Sequence, residues 1–309
     1  MSLQRSLCCI SRVLIGFWMT SLVACSPATL SPTTPPIVET QAAVISPTAA
    51  DTTTPTIIQP SPTPQLAAIV NGEAITLAEY QEELKRFKAA ANRELTPEDE
   101  QRVLDELINE RLFAQAAAEN GYTVDEATLK ERLDRLIADA GGEQALSDWI
   151  AAYGFTEESF RAALKISIAA AWMRDQVIAE VPLAAEQVHA RQILVTSPEQ
   201  ADEALAQLQA GNDFGNLAAQ YNPVTGGDLG WFPRGYLLDA KLEQAAFELQ
   251  PEEFTPVIQT LAGYHILQII ERQAERPLEP DMLLTLQMNA LQAWLEARRS
   301  QSDIQYLVP

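Results

Sequence analysis

The chain has 309 residues, of which 42 are acidic and 21 basic, so its formal net charge is −21. A surface this negative repels the phosphates of nucleic acids, which argues against a nucleic-acid-binding function. The charge also favours solubility, but it does not identify a substrate.

The first residues are typical of an export signal. Arg5 and Arg12 precede an apolar run at residues 13–22, which is too short for a comfortable membrane span and matches the core of a signal peptide. The run ends in Leu-Val-Ala-Cys, which resembles a bacterial lipobox whose cysteine, Cys25, becomes the lipid-bearing first residue. We expect a signal peptide at residues 1–24 and a lasting lipid anchor on Cys25. The alternative is an ordinary signal peptide followed by an incidental cysteine.

Cysteine chemistry is not expected in the mature chain. Cys8 and Cys9 lie in the segment that would be removed, and Cys25 would be acylated. No thiol then remains for a disulfide, a nucleophile or a metal site. We expect neither a metal nor a cofactor.

Residues 25–65 are expected to form a disordered tether. The segment after Cys25 is dominated by Pro, Thr, Ser and Ala, with nine prolines and only Glu39 and Asp51 charged. It cannot bury enough apolar surface to offset the entropy of ordering. At about 3.1 Å per residue, such a partly polyproline-like chain reaches up to roughly 120 Å. It would hold the folded region away from a membrane.

Residues 66–183 are predicted to be mostly helical after a short strand and turn at 68–75. The predicted helices begin at Thr76, run from Thr96 to Asn120, and cover 125–140, 143–153 and the residues after Thr156. Apolar side chains at helical spacing predict core-facing stripes: Leu129, Leu133, Leu136, Ile137, Phe160, Leu164, Ile168 and Trp172.

Residues 184–274 are predicted to follow the order β-α-α-β-α-β-β around a four-stranded antiparallel sheet. The predicted helices cover 197–208, 213–221 and about 239–248. Gly226 and Gly227 precede a short apolar strand, where paired glycines permit positive φ and close packing. Gly263 opens an alternating strand in which His265 and Leu267 share a face.

Three motifs in this region resemble the parvulin family of peptidyl-prolyl cis/trans isomerases. They are Gly-Gly-Asp-Leu-Gly-Trp-Phe from Gly226, Ala-Ala-Phe-Glu-Leu from Ala245 and Gly-Tyr-His-Ile-Leu from Gly263. The match runs from about Gln187 to Arg272. The resemblance implies a parvulin fold that accelerates rotation about X-Pro bonds without a metal or cofactor.

The rest of the folded region resembles secretion foldases. Val-Asn-Gly-Glu-Ala-Ile-Thr, ending at Thr76, and the helices after it resemble the N-terminal domain of SurA-like and PrsA-like foldases. In those proteins the C-terminal segment returns to the helical domain, and residues 275–309 are expected to do the same. The resemblance implies an α+β fold, with a mostly helical SurA-N-like chaperone domain at 66–183 and a parvulin domain inserted at 184–274.

The C-terminal segment itself predicts one more helix, at about 281–300. It places four apolar side chains on one side: Leu284, Met288, Leu291 and Leu295. An apolar stripe on an isolated terminal helix needs a partner.

The parvulin resemblance implies only part of the family's catalytic set. His265 matches the second family histidine, and Thr260 matches the hydroxyl residue that supports it. Gln192 stands where the family has its first histidine, and it can exchange hydrogen bonds but cannot titrate. The shortened loop that usually supplies an acid or thiol offers only Asn222 as a polar candidate. His189 lies three residues from Gln192, so strand alternation places it on the opposite face.

The apolar half of the family's pocket is better represented. Leu237 or Leu238 falls near the family's methionine and Leu242 near its phenylalanine, and Phe247 completes the predicted substrate-binding set.

Three functions remain open from the sequence. The first is an extracytoplasmic, lipid-anchored prolyl isomerase that acts on unfolded or exported polypeptides with attenuated activity. The second is a non-catalytic chaperone that uses the same fold to bind peptides, and the third is a structural lipoprotein that docks one partner. The sequence indicates no oligomeric state.

Overall fold

A computed structural model describes residues 64–308 of the chain. The predicted signal peptide, the lipidation of Cys25 and nearly all of the predicted tether lie outside the described residues. Within residues 64–308 no helix is long and apolar enough to span a membrane. The described fold is α+β, a mostly helical region with a four-stranded antiparallel sheet inserted into it.

The first part of the described chain is a strand pair followed by five helices. The elements are β1 (Leu66–Val70), β2 (Glu73–Thr76), α1 (Leu77–Ala91), α2 (Pro97–Glu119), α3 (Glu126–Ala140), α4 (Glu143–Ala152) and α5 (Glu157–Ala179). Helix starts follow local capping, because the hydroxyl groups of Thr76, Thr96 and Thr156 each accept the backbone N–H three residues later.

Two hydrophobic clusters hold this helical region together. One buries β1 against α1 and α2 around Ile75, Leu104 and Ile108. The other joins α3, α4 and α5 around Leu129 and Phe160. The predicted stripes on α3 and α5 therefore face the core, except for Trp172, whose ring stacks on Tyr122 instead.

The inserted sheet follows in chain order. Its elements are β3 (Ala184–Val195), α6 (Pro198–Gln209), α7 (Phe214–Tyr221), β4 (Asp228–Pro233), α8 (Ala240–Glu248), β5 (Ile258–Gln259) and β6 (Tyr264–Pro277). The strand order is β4-β3-β6-β5 with every pair antiparallel.

The two faces of this sheet are covered differently. Helices α6 and α7 pack on one face, over Ile193, Val195 and Ile266. Helix α8 packs on the other face, over Leu267 and Ile269. Both central strands, β3 and β6, are therefore buried over much of their length.

The chain then returns to the helical region through α9 (Pro280–Ser300) and β7 (Ile304–Tyr306). Trp294 of α9 stacks on Phe113 of α2, with ring centroids 4.5 Å apart. Strand β7 pairs with β1, so a three-stranded sheet of order β2-β1-β7 joins the two ends of the described chain. The stripe predicted on α9 is only half-buried, and its Met288 is exposed.

Candidate active site

The two central strands bring the predicted polar residues to one face of the sheet. In the register of β3 and β6, Leu194 lies opposite His265 and Gln192 opposite Leu267. Because directly opposed side chains point to the same face, all four share one surface. His265 is only 4 % exposed there.

His265 is hydrogen bonded through both ring nitrogens. The Oε1 atom of Gln192 lies 2.8 Å from Nδ1, and the Oγ1 atom of Thr260 lies 2.9 Å from Nε2. The backbone N–H of Ala262 donates to the same hydroxyl at 3.0 Å, which leaves the Thr260 proton to point at the ring. This arrangement assigns a neutral imidazole that donates from Nδ1 to Gln192 and accepts at Nε2 from Thr260.

Electrostatics also favour the neutral ring. Burial lowers the pKa of His265 below its usual value, and the nearby Asp239 carboxylate opposes this effect only in part. A neutral ring held by two hydrogen bonds is suited to orient the carboxamide of Gln192. It is not placed to exchange protons with solvent.

The protonation of His265 is directly testable. We expect His265 to stay neutral at pH 6.5 with its proton on Nδ1, because burial disfavours the imidazolium. The unfolded chain protonates this residue below about 6.5, so its contribution to folding stability is lost as pH falls from there toward the lowered folded pKa. Imidazole ¹⁵N NMR, assigned with a His265→Gln variant, reports the protonation of both ring nitrogens. Protonation of both at pH 6.5 would contradict the assignment.

The glycine pair before β4 brings the chain against β3. The backbone N–H of Gln192 donates to the carbonyl of Gly227 at 2.8 Å. Gly227 has φ +76°, and a Cβ atom there would lie 2.0 Å from the Gln192 carbonyl oxygen. Only glycine fits this approach, so the pair fixes the backbone from which Gln192 projects.

An apolar wall lies beside the polar residues. Leu237, Leu242 and Ile258 all pack against the same buried cluster, and Ile258 lies opposite His265 on β5. Phe247 belongs to the same cluster but is buried, edge-on to the ring of Phe232. It supports the wall from beneath.

Two predicted substrate-binding residues do not belong to this wall. Leu238 is fully exposed and is not part of this wall, because the turn before α8 directs Leu237 inward instead. Asn222 ends α7, and its side-chain oxygen accepts the N–H groups of Val224 and Thr225 at 3.3 Å. Its carboxamide oxygen therefore stabilises its own loop.

His189 lies on the other face, as strand alternation predicts. Its Nε2 atom is 2.8 Å from Oδ1 of Asp228, and its ring stacks on Trp231.

In residues 64–308 no group of three or more His, Cys, Asp or Glu side chains could hold a metal ion.

The structure adds three residues that we had not predicted from the sequence. Leu194 is 39 % exposed on the face of His265, Ile258 lies opposite His265, and Asp239 acts on its charge. Alternation from Gln192 could have identified Leu194. The position of Ile258 depends on strand register, and that of Asp239 on the turn before α8. Neither leaves a local pattern in the sequence.

The sequence matches two known domain families. Residues 189–271 match the PPIC-type PPIase domain, and residues 53–156 match the SurA-like N-terminal domain. Together these families cover both the inserted sheet and most of the helical region before it.

Relatives named as foldases or chaperones match this chain at low identity. A foldase protein PrsA from Caldanaerobacter subterraneus subsp. tengcongensis is 29% identical over 65% of this chain and 72% of its own length. A chaperone SurA from Aromatoleum aromaticum is 29% identical over 71% of this chain, and the match spans 58% of the SurA chain.

A solved structure is similar as well. The peptidylprolyl isomerase PrsA from Bacillus cereus aligns over 76% of this chain and 85% of its own, at 20% identity and a TM-score of 0.43. The chain contains a PPIC-type peptidyl-prolyl isomerase domain preceded by a SurA-like N-terminal domain.

Proposed function

We propose that this chain is an exported, membrane-anchored foldase that isomerises X-Pro bonds in unfolded or secreted polypeptides, with attenuated activity. The observation that carries the proposal is the Gln192–His265–Thr260 hydrogen-bond chain beside the apolar wall of Leu237, Leu242 and Ile258. The proposed organisation is a helical chaperone domain at 66–183, the isomerase domain at 184–274, and a C-terminal segment at 275–309 that completes the helical domain.

The proposed reaction needs no covalent step. Rotation about a peptide bond crosses a barrier of about 18–20 kcal/mol, because resonance is lost in the twisted amide. The two isomers of an X-Pro bond differ by only about 0.5–1 kcal/mol, so a catalyst has only to favour the twisted state. An apolar wall that takes the prolyl ring out of water disfavours the polar planar amide.

The polar residues would act on the twisted amide. The Oε1 atom of Gln192 faces His265, so its two N–H groups stay available to a bound peptide. They can donate to the amide nitrogen, which becomes an acceptor once resonance is broken, or to the substrate carbonyl. Thr260 holds the ring of His265, and His265 in turn keeps Gln192 oriented.

Attenuation follows from what the array lacks. Gln192 replaces a titratable ring with a carboxamide, and the loop at Asn222 adds no acid or thiol. Fewer groups then act on the twisted amide than a full family set would supply. The rate is therefore expected to exceed the uncatalysed rate while remaining below that of a complete site.

Thr260 gives a graded test of this array. Thr260→Val keeps the shape but removes the hydrogen bond to His265, and we expect kcat/KM to fall about 2- to 10-fold, the worth of one hydrogen bond. Thr260→Ser keeps the hydroxyl and is expected to retain activity. Protease-coupled assays of both variants measure the ratio, and equal loss in both would contradict a role for the hydroxyl.

Placement outside the cytoplasm completes the proposal. The signal-like segment at 1–24, the lipobox-like sequence at Cys25 and the Pro-rich stretch after it favour a lipid anchor on an extracytoplasmic membrane surface. Radiolabelled fatty acid incorporated into the wild type and not into Cys25→Ser would support it. Equal labelling of both would count against the anchor.

A non-catalytic chaperone is the second candidate function. Leu194 is partly exposed beside His265, and Leu261, in the turn between β5 and β6, is fully exposed. Such side chains can bind extended apolar peptides without isomerising them. Suppression of aggregation of an unfolded exported protein, unchanged by His265→Ala and without any isomerisation, would favour this candidate over the first.

A further inference from the structure

Helix α9 is fixed to the helical region through its C-terminal half. The ring of Trp294 lies flat on that of Phe113, with an interplanar angle of 6°. One turn later, Arg298 pairs with Glu119 at 2.5 Å. Both partners belong to α2, so α9 moves with that helix.

The N-terminal half of α9 contacts the inserted domain. The Nδ2 atom of Asn289 donates to the carbonyl of Gly235 at 2.7 Å. Gly235 has φ +79°, and a Cβ atom there would lie 3.2 Å from Cδ2 of Leu286. The helix therefore contacts the loop at residues 234–239 through the backbone of Gly235.

This loop forms one side of the candidate active site. The N–H groups of Tyr236 and Leu237 donate to one carboxylate oxygen of Glu243, at 3.0 and 3.2 Å. Leu237 belongs to the apolar wall, and Asp239 caps α8 while its charge acts on His265. Only Tyr236 lies between the clamped Gly235 and Leu237.

We infer that α9 is a clamp through which the helical region positions the prolyl-binding wall, with Asn289 and Leu286 as positioning residues. The inference rests on the proposed isomerase function. Gln192 and His265 lie on β3 and β6 and are held by other contacts, so loss of the clamp is expected to weaken peptide binding more than turnover. If a polypeptide binds to the helical region and shifts α9, the affinity of the wall for the prolyl ring of a substrate would change.

Asn289→Ala in the full chain tests the clamp. Hydrogen exchange at the amides of Tyr236 and Leu237 is expected to quicken, because the loop loses its contact with α9. The KM for an X-Pro peptide is expected to rise about 2- to 10-fold, the range expected for one hydrogen bond, and kcat is expected to change less. Gln292→Ala is the matched control, because this amide lies on the same helix and bonds only to Glu296 there.

Two results would overturn the inference. Equal exchange in Asn289→Ala and Gln292→Ala would show that α9 does not hold the loop, and faster exchange with an unchanged KM would show that the loop does not position the wall. Asn289→Asp keeps the shape without the donor and is expected to behave as Asn289→Ala. Failure of the proposed function would differ from both, because the wild type itself would then not accelerate isomerisation.

Discussion

His265→Ala is expected to lower kcat/KM for isomerisation of an X-Pro peptide by about 10²-fold, or to the uncatalysed rate if the wild type lies closer to it. The substitution removes the ring to which both Gln192 and Thr260 are bonded. Gln192 then loses the partner that orients its donors. Exchange NMR on a peptide measures the rate without a coupling protease.

His189→Ala is the matched control for this result. It removes the other histidine, which lies on the opposite face and bonds to Asp228. We expect this variant to isomerise at the wild-type rate. Equal losses in the two variants would indicate a general effect on folding and would contradict a specific role for His265.

Gly227→Ala is expected to destabilise the inserted domain strongly. A Cβ atom at this position would come within 2.0 Å of the backbone oxygen of Gln192, which no side-chain rotation can relieve. The strain of φ +76° costs about 1–2 kcal/mol and the overpacking about 1–3 kcal/mol more. Urea unfolding followed by tryptophan fluorescence measures the loss, which we expect to total about 2–5 kcal/mol.

The neighbouring glycine provides the control. Gly226 also has positive φ, at +63°, but a Cβ atom there would meet nothing within 4 Å. Gly226→Ala is therefore expected to cost only the backbone strain, about 1–2 kcal/mol. If the two variants unfold at the same urea concentration, the close approach of Gly227 to Gln192 does not contribute to stability.

The elements of the fold that depend on neighbours in sequence were predictable. Thr76, Thr96 and Thr156 each cap a helix by bonding to the N–H three residues later. Both partners therefore lie within one short stretch of sequence, where the capping pattern can be recognised. Strand β7 was not predicted, because its three residues pair with β1, at the other end of the described chain. No periodicity can develop over so short a segment.

Some residues of the candidate site were likewise predictable from the sequence, and others were not. Strand alternation and the parvulin motifs identified Gln192 and His265, and the structure brings them together at 2.8 Å. The choice between Leu237 and Leu238 depended on the turn before α8, whose direction the sequence does not reveal. The contact of Asn289 with Gly235 spans 54 residues and depends on how α9 lies against the inserted domain.

We propose that the Gln192–His265–Thr260 array is a working but attenuated isomerase site. Exchange NMR on one X-Pro peptide, with the wild type and Gln192→His measured side by side, tests it most directly. We predict a wild-type rate above the uncatalysed rate and a faster rate for Gln192→His, because a second ring at this position restores the family pair. A wild type at the uncatalysed rate, with no gain in Gln192→His, would contradict the claim.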